Sequence, residues 1–457
     1  LFLTKKLFIK TYGCQMNVYD TVRMGDVMAP LGYSMADSFE GADLVILNTC
    51  HIREKAEEKV YSELGRIRQE KDRKAAEGSR MLIAVGGCVG QAEGEEIIKR
   101  APFVDIVLGP QSYHQLPEMV TRAIREKGGV VELEFPTVQK FDLLPESSAP
   151  QGSAAFLSVQ EGCDKFCSFC VVPYTRGAEY SRKPETVIAE ARRMVDQGSV
   201  EIMLLGQNVN AYHGEGNDGR NWSLADLIDA LARIDGLHRI RYTTSHPRDM
   251  SDDLIAIHGS EPKLMPYLHL PIQSGSDEIL KRMNRKHKVD FYLDIIDRLR
   301  KARPDMAFSS DFIVGFPGEG EKDFEGSMQV VEKVGYASAY SFKYSPRPGT
   351  PAAVDDKQVP EEVKDERLAR LQELIRNKQT AFNESCLGRI MPVLLDRDGK
   401  LEGQLLGKSP YMQSVHVRNA SEYRGQFVDV KITGAYLNSL AGEVVGIQDN
   451  INFRKAI

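Results

Sequence analysis

Three short apolar runs, each ending on a cysteine, constrain this chain more than any other feature. KLFIKTYGC ends at Cys14, ADLVILNTC at Cys50 and MLIAVGGC at Cys88. A helix-like stretch follows each one: TVRMGDVMAPLG, REKAEEKVYSELGRIRQEK and EGEEIIKRA. A fourth run, DIVLG, precedes QLPEMVTRAIREKG. Apolar runs alternating with helical stretches give parallel strands with helices on the faces of the sheet. In an open parallel sheet the carboxyl ends of the strands share one edge, and ligands bind there. Cysteines 36 and 38 positions apart are therefore expected to converge. The alternative is three unrelated core cysteines, since free Cys is often buried. Their shared position at strand ends speaks against it.

The rest of the chain divides by pattern. Residues 1–125 form this expected open-sheet α/β domain, with four strands read from the sequence. Residues 126–150 lose periodicity, gain Pro and Ser, and read as a linker. From 151 to 383 alternation resumes, from AAFLSVQEGC through EIMLLGQNVNAY, HRIRYTTSHP, PYLHLPIQSGS and MAFSSDFIVGFPGE to ASAYSFKYSP. Six strand–helix units imply a partial (β/α)6 barrel, whose chemistry belongs at the carboxyl ends of its strands. Residues 384–457 switch to short alternating segments split by Gly, Asp and Asn. That pattern reads as a small all-β barrel of the OB type.

Composition matters mainly for what it excludes. A net charge of −6 rules out a generally basic nucleic-acid coat, though not a local RNA site. The sequence has no run of about 18 uncharged apolar residues, so no membrane span is expected. The stretch LFLTKKLFIKTYGC carries Lys5 and Lys6 within its apolar part and reads as a strand rather than a signal peptide. A cytoplasmic protein is expected. Seven cysteines, an odd number in a long chain, do not describe a disulfide framework. Metal or catalytic roles are then expected of clustered cysteines.

The densest cluster lies in EGCDKFCSFCVVPYTRG, where Cys163, Cys167 and Cys170 follow a strand. Thiolates in this C-x3-C-x2-C spacing can each bind one iron of a 4Fe–4S cubane, leaving the fourth iron open for an exogenous ligand. A structural zinc site is normally closed by four protein ligands. Zinc and unliganded thiols remain the alternative readings.

The spacing, with Phe169 before the last cysteine, resembles the cluster loop of the radical S-adenosylmethionine (SAM) enzymes. Together with TYGCQMNVYD, NTCHIREKAEEKV, GGCVGQ, LLGQNVNAY and DFIVGFPGE, it resembles the radical SAM methylthiotransferases over most of the chain. That resemblance implies SAM and two 4Fe–4S clusters as cofactors, the second cluster held by Cys14, Cys50 and Cys88. It implies that the C-terminal barrel is an RNA-binding TRAM domain. It also implies that two SAM molecules are used per product. One methylates sulfur at the second cluster, and the other supplies the 5′-deoxyadenosyl radical that removes hydrogen from the target carbon.

Candidate SAM contacts are read from position in the barrel. Phe169 is placed near the adenine, with a core aromatic as the alternative. Gly206, Gln207 and Asn208 end the second barrel strand, where glycine allows close backbone approach; a turn with a capped helix is the alternative. Gln273 and Ser274 end the fourth strand and Asp311 lies in the fifth, all expected to line the cavity. His246 reads as structural. NTCHIREKAEEKVYSELGR and LLGQNVNAY resemble the branch acting on N6-isopentenyladenosine at position 37 of tRNA. Two other branches act on threonylcarbamoyladenosine in tRNA and on an aspartate of a ribosomal protein. His51 and Gly90 depart from the Ser and Ala of the isopentenyl branch, without removing a ligand. The implied partners are tRNA and an electron-donor protein, with a monomeric chain. Some of Arg389, Lys400, Lys408, Arg418, Arg424 and Lys431 are expected to meet phosphates, with simple solvation of a β-surface as the alternative for each; Arg53 and Lys55 are candidates to meet substrate or cluster charge, with helix propensity and surface charge as an equal alternative. Cys386 is expected to be dispensable. A non-catalytic iron–sulfur RNA-binding protein and a zinc enzyme are the rivals from other classes.

Overall fold

The computed structural model describes residues 4–50, 56–126, 128–135, 140–146 and 148–447. His51, Arg53 and Lys55 lie outside the described residues. The chain forms two compact units. Residues 1–149, 161–164 and 171–180 belong to the first, and residues 150–160, 165–170 and 181–457 to the second.

The first unit is a parallel α/β sheet. Its strands are β1 (Lys5–Thr11), β2 (Tyr33–Met35), β3 (Leu44–Thr49), β4 (Leu82–Gly87), β5 (Ile106–Leu108) and β6 (Val130–Glu132). The spatial order is β2-β1-β3-β4-β5-β6, and every pair is parallel. Helices α1 (Gln15–Met28), α2 (Ala56–Ala76), α3 (Cys88–Glu93), α4 (Glu95–Arg100) and α5 (Leu116–Arg125) make the crossovers. All six residues of β3 and of β4 are buried, as a strand covered on both faces requires. Leu44 and Ile46 join one apolar core with residues of α1 and α5, while Val45 and Leu47 join a second with residues of α2. The sheet has six strands where the sequence reading finds four. Val130–Glu132, placed in the linker by that reading, pairs with β5 as an edge strand. Three residues are too few to show periodicity, and the buried neighbour supplies the register.

In the second unit β7 (Ala154–Ser158), β10 (Glu201–Leu205) and β13 (Arg239–Tyr242) form one parallel sheet. Strands β14 (Tyr267–His269), β15 (Ala307–Val314) and β16 (Ser338–Lys343) form another. A parallel bridge between Ile240 and Leu264 joins the two, so six parallel strands follow one arc. The pair β11 (His213–Glu215) and β12 (Asn221–Ser223) is a short addition, while β8 (Gln160–Glu161) and β9 (Tyr180–Ser181) each lie where the chain passes from one unit to the other. The helices are α6 (Val172–Thr175), which belongs to the first unit, then α7 (Pro184–Asp196), α8 (Leu224–Ala232), α9 (Asp252–Ser260), α10 (Asp277–Arg282), α11 (Val289–Ala302), α12 (Glu321–Val334) and α13 (Glu361–Glu384). A continuous core between strands and helices holds the arc together; Leu204, Ile240, Leu268 and Phe312 are fully buried in it.

Strands β17 (Ile390–Asp398), β18 (Leu405–Lys408), β19 (Ser414–Val417), β20 (Phe427–Tyr436) and β21 (Ser439–Ile447) close into a barrel in the order β17-β18-β19-β21-β20. Closure leaves no free sheet edge. This barrel docks on the amino ends of the arc's strands. Arg239 donates to the carbonyls of Lys408 (3.1 Å) and Pro392 (2.5 Å), and Arg241 to those of Pro410 (2.9 Å) and Ser409 (2.8 Å). Glu201, buried beside both, lies 3.5 Å from Arg239 and 3.1 Å from Arg241. The two guanidiniums hold its carboxyl below the usual range against the burial that opposes ionisation.

Candidate functional site

The three cysteine-ended strands are neighbours in the sheet. Cys14 is the residue before α1, Cys50 follows β3 directly, and Cys88 opens α3 directly after β4. Glycine backbone conformations draw these ends together. Gly13 has φ +114°, and a Cβ there would meet the Cβ of Cys50 at 2.3 Å and its sulfur at 3.1 Å. Gly87 has φ +86°, and a Cβ would meet the Thr49 carbonyl oxygen at 2.3 Å. A side chain at either position is excluded twice, by conformation and by space.

A buried amide pair stitches the same edge. Asn17 Nδ2 donates to Asn48 Oδ1 (3.1 Å) and to the Thr49 carbonyl (2.9 Å). Asn48 Nδ2 returns a bond to the Asn17 carbonyl (2.8 Å) and another to Thr21 Oγ1 (3.0 Å). Thr49 Oγ1 donates to the Gly86 carbonyl (2.6 Å) and accepts from the Val89 N–H (3.2 Å). The Cys14 thiol donates to Asn17 Oδ1 at 3.3 Å. Sequence reasoning missed Asn17, Asn48 and Thr49, although an Asn and a Thr directly before a cysteine are visible in NTC. At Gly90 a Cβ would meet the Leu108 carbonyl oxygen at 2.6 Å, so the departure there accompanies close packing of α3 on β5.

Cys163 belongs to the first unit, where its N–H donates to the Gly177 carbonyl at 3.2 Å. Cys167 and Cys170 belong to the second, where the Cys170 N–H donates to the Cys167 carbonyl at 2.9 Å. The segment 165–170 is tied to the loop after α10. Ser168 N–H donates to the Met283 carbonyl (3.0 Å) and Ser168 Oγ to that of Arg282 (2.8 Å), while Asn284 Nδ2 donates to the Phe166 carbonyl (2.8 Å). Arg285 Nη1 reaches the Cys167 sulfur at 3.5 Å. Phe166, Asn284 and Lys286 all have positive φ (48°, 58° and 55°), a conformation non-glycine residues rarely adopt.

Of the expected SAM contacts, Gly206, Gln207 and Asn208 directly follow β10, Gln273 and Ser274 follow β14, Asp311 lies within β15 and Phe169 in the loop before α6. A Cβ at Gly206 would meet Gln160 Oε1 at 2.4 Å, the close approach anticipated there. Gln207 is half-buried. Asn208 is buried, its Nδ2 donating to Asp249 Oδ2 (2.8 Å), and its Oδ1 has no hydrogen-bond partner. Lys165 pairs with the other oxygen of Asp249 at 2.8 Å. Gln273 has φ +78° and bridges to β15 through the Asp311 carbonyl (3.0 Å). Ser274 is fully buried, with its Oγ accepting from the Ser276 N–H at 3.3 Å. Asp311 lies 3.6 Å from His269 Nε2. Phe169 packs edge-on to Phe316, centroids 6.4 Å apart, against the small apolar cluster around Met283 and Tyr344. His246 is buried, with Nε2 unpartnered among the described residues and its ring 5.7 Å from that of His287. Burial, with the cations Arg285, Lys165 and Arg248 nearby, keeps it neutral.

Among the described residues no three Cys, His, Asp or Glu side chains group closely enough to hold a metal ion. A single zinc ion draws all its donors to about 2.0–2.3 Å, whereas the thiolates of a cubane each reach a different iron. In the C-terminal barrel, Lys408 is turned inward to the Met412 carbonyl (3.3 Å) and Ser414 Oγ (3.0 Å), and Arg424 is paired with Asp398. Lys400, Arg418 and Lys431 are exposed. Cys386 is buried in the barrel core.

Comparison with known proteins places these features in a family. Residues 6–109 match the uncharacterized protein family UPF0004, residues 157–331 the radical SAM superfamily and residues 384–445 the TRAM domain. Among solved structures, the chain superposes on the cobalamin-dependent radical SAM enzyme OxsB with TM-score 0.52 and 12% identity, covering 82% of this chain and 56% of that one. It superposes on the radical SAM methyltransferase TsrM from Kitasatospora setae with TM-score 0.56 and 12% identity, covering 77% and 74%. Those likenesses concern the fold. Two curated relatives, from Rickettsia bellii and Rickettsia rickettsii, are 60% and 59% identical over 97% of this chain and 100% of their own length. Both are named tRNA-2-methylthio-N(6)-dimethylallyladenosine synthase. With that identity along nearly its whole length, the chain belongs to the tRNA-2-methylthio-N(6)-dimethylallyladenosine synthase family of radical SAM enzymes.

Proposed function

We propose that the protein adds a methylthio group to carbon 2 of N6-isopentenyladenosine at position 37 of tRNA. The full-length identity to relatives of that name carries the reading. The chemistry demands a cofactor, because side-chain bases do not remove hydrogen from an aromatic ring carbon. In this reading Cys163, Cys167 and Cys170 hold one 4Fe–4S cluster and Cys14, Cys50 and Cys88 a second. The convergence of β1, β3 and β4, with glycine at both close approaches, supports the second assignment. When bound, the first cluster and SAM supply a 5′-deoxyadenosyl radical, and the second holds the sulfur to be transferred.

The chain's own residues bind and exclude. Phe169, Gly206, Gln207, Asn208, Gln273, Ser274 and Asp311 contact SAM. The unpartnered Oδ1 of Asn208 accepts a donor from it, which would satisfy a buried acceptor otherwise costly to leave alone. Gly206 lets the ligand approach the backbone. The exposed Lys400, Arg418 and Lys431 of the C-terminal barrel meet tRNA phosphates. An electron-donor protein reduces the clusters, and the chain works as a cytoplasmic monomer.

The test is nucleoside mass spectrometry after an anaerobic reaction of reconstituted protein, SAM, a strong reductant and isopentenyladenosine-containing tRNA. Threonylcarbamoyladenosine tRNA runs in parallel. A methylthio adduct on the first RNA alone is the expected result. An adduct on the second alone, or 5′-deoxyadenosine formed with neither RNA altered, would overturn the substrate assignment.

A further inference from the structure

A charged cluster is buried in the first unit behind the cysteine edge. Lys140, Asp20, Glu161 and Arg176 are each at most 3% exposed. Arg176 Nη2 donates to Asp20 Oδ2 at 2.8 Å and Nη1 to Glu161 Oε1 at 2.6 Å. Lys140 Nζ lies 2.6 Å from Glu161 Oε2, bonds the Pro110 carbonyl at 2.9 Å and stands 3.8 Å from Asp20 Oδ1. Two cations and two carboxylates cancel, and buried charges require such pairing.

Arg176 has a second set of neighbours. The helices that begin at Cys14 and Cys88 both meet it, one through Asp20 and the other through α6, and those sulfurs and the two carboxylates favour its charged form against the burial that opposes it. The backbone explains why. Asp20 lies on α1, which begins directly after Cys14, and α6, which ends just before Arg176, packs on α3, whose first residue is Cys88. The main chain at Arg176 is fixed from both sides: its N–H donates to the Val172 carbonyl (2.8 Å) and its carbonyl accepts from Gln111 Nε2 (2.8 Å). A rigid guanidinium is therefore held in a dry interior between the elements that open at two of the three cysteines, where charge acts far more strongly than in water.

We propose that Arg176, anchored by Asp20 and Glu161, is a positioning residue for the Cys14–Cys50–Cys88 centre and raises the reduction potential of a cluster bound there. The inference rests on reading those cysteines as cluster ligands. Reduction adds one electron and one negative charge to the cluster, and a fixed cation stabilises that charge. Asp20 and Glu161 oppose it, so the residues on the two sides of the ion pairs act with opposite sign. A purely structural network would lose stability on either substitution and would not order the potentials by charge.

The test uses the full chain with Cys163, Cys167 and Cys170 changed to Ala, reconstituted with iron and sulfide, so that only the first-unit centre can assemble. Iron and sulfide content comes first; their absence with Arg176 intact would overturn the reading of the cysteines, and the inference with it. With a cluster present, a redox titration followed by electron paramagnetic resonance compares three further substitutions. Arg176→Gln is expected to lower the potential by at least tenfold in the reduction equilibrium, about 59 mV for one electron. Asp20→Asn is expected to raise it, and Arg176→Lys to stay within threefold of the parent. Equal potentials, or shifts of the same sign in Arg176→Gln and Asp20→Asn, would overturn the proposal. Should Arg176→Gln fail to accumulate, the direction of the Asp20→Asn shift decides alone.

Discussion

The Arg285 guanidinium lies 3.5 Å from the sulfur of Cys167 and is held there by a 2.6 Å bond to the Pro271 carbonyl. On the proposed reading Cys167 is a cluster ligand, and this contact is a charge-assisted hydrogen bond to its sulfur. Replacing Arg285 with Met is expected to slow reductive cleavage of SAM about 10–100-fold, the worth of one charge-assisted hydrogen bond of about 1.5–3 kcal/mol. The check is 5′-deoxyadenosine formed per minute, normalised to bound iron. An unchanged rate would show that the contact is structural.

Gly13 faces the Cβ of Cys50 at 2.3 Å from where its own Cβ would sit. Gly13→Ala should therefore part β1 from β3 at their carboxyl ends. On the proposed two-cluster reading, iron per chain is expected to fall by roughly half, with the cluster of Cys163, Cys167 and Cys170 retained. Iron and acid-labile sulfide analysis reads this directly. Full iron content in the variant would count against the first-unit centre.

Glu319 closes the turn after β15. Its Oε1 accepts from the Gly315 N–H (2.8 Å) and from Arg367 Nη1 (2.9 Å). Burial outweighs both and raises its carboxyl to about 7, from an ordinary 4.5. Below about 4.5 the folded and unfolded chains are both protonated at this group, and it costs nothing. Between 4.5 and about 7 the unfolded chain releases the proton first, so stability falls as pH rises. The total is on the order of 3 kcal/mol, complete above about pH 7. Denaturant unfolding at intervals across that range should show the decline, and Glu319→Gln should flatten it. An identical pH profile in the variant would refute the assignment.

Cys386 is fully buried in the C-terminal barrel core, its thiol donating to the Phe382 carbonyl at 3.4 Å and accepting from Gln413 Nε2 at 3.5 Å. Cys386→Ala should keep the full iron content and lower stability by about 1 kcal/mol for the small void left behind. Thermal unfolding and iron analysis of the same sample separate the two effects.

The alternation of apolar and helical stretches is visible along the chain, so the sheet, the arc of six strands and the closing β-barrel were legible before any coordinates. Local patterns fail where the deciding partner is remote. HRIRY alternates charge with apolar side chains and reads as half-exposed, yet all of Arg239–Tyr242 is buried, because Glu201 and four barrel carbonyls receive the two arginines. Lys140 sits in a stretch that reads as linker, and its carboxylate neighbours Asp20 and Glu161 lie 120 and 21 positions away in sequence. The six clustered cysteines stood out as candidates because residue type and spacing carry that signal. The amide pair Asn17–Asn48 did not, because its meaning lies only in its partners.

The seat of the C-terminal barrel on Arg239 and Arg241 has a consequence of reach. These arginines open the arc at the amino ends of its strands, whereas Asn208 and Gln273 stand at the carboxyl ends. A strand of five residues such as β10 spans roughly 16 Å. On the proposed reading, an RNA gripped by the barrel's outer basic residues would have to wrap past that height before a base entered from the far rim. On that reading the docked barrel would serve as a ruler, selecting substrates by the distance between where the backbone is held and where a nucleotide can be turned outward.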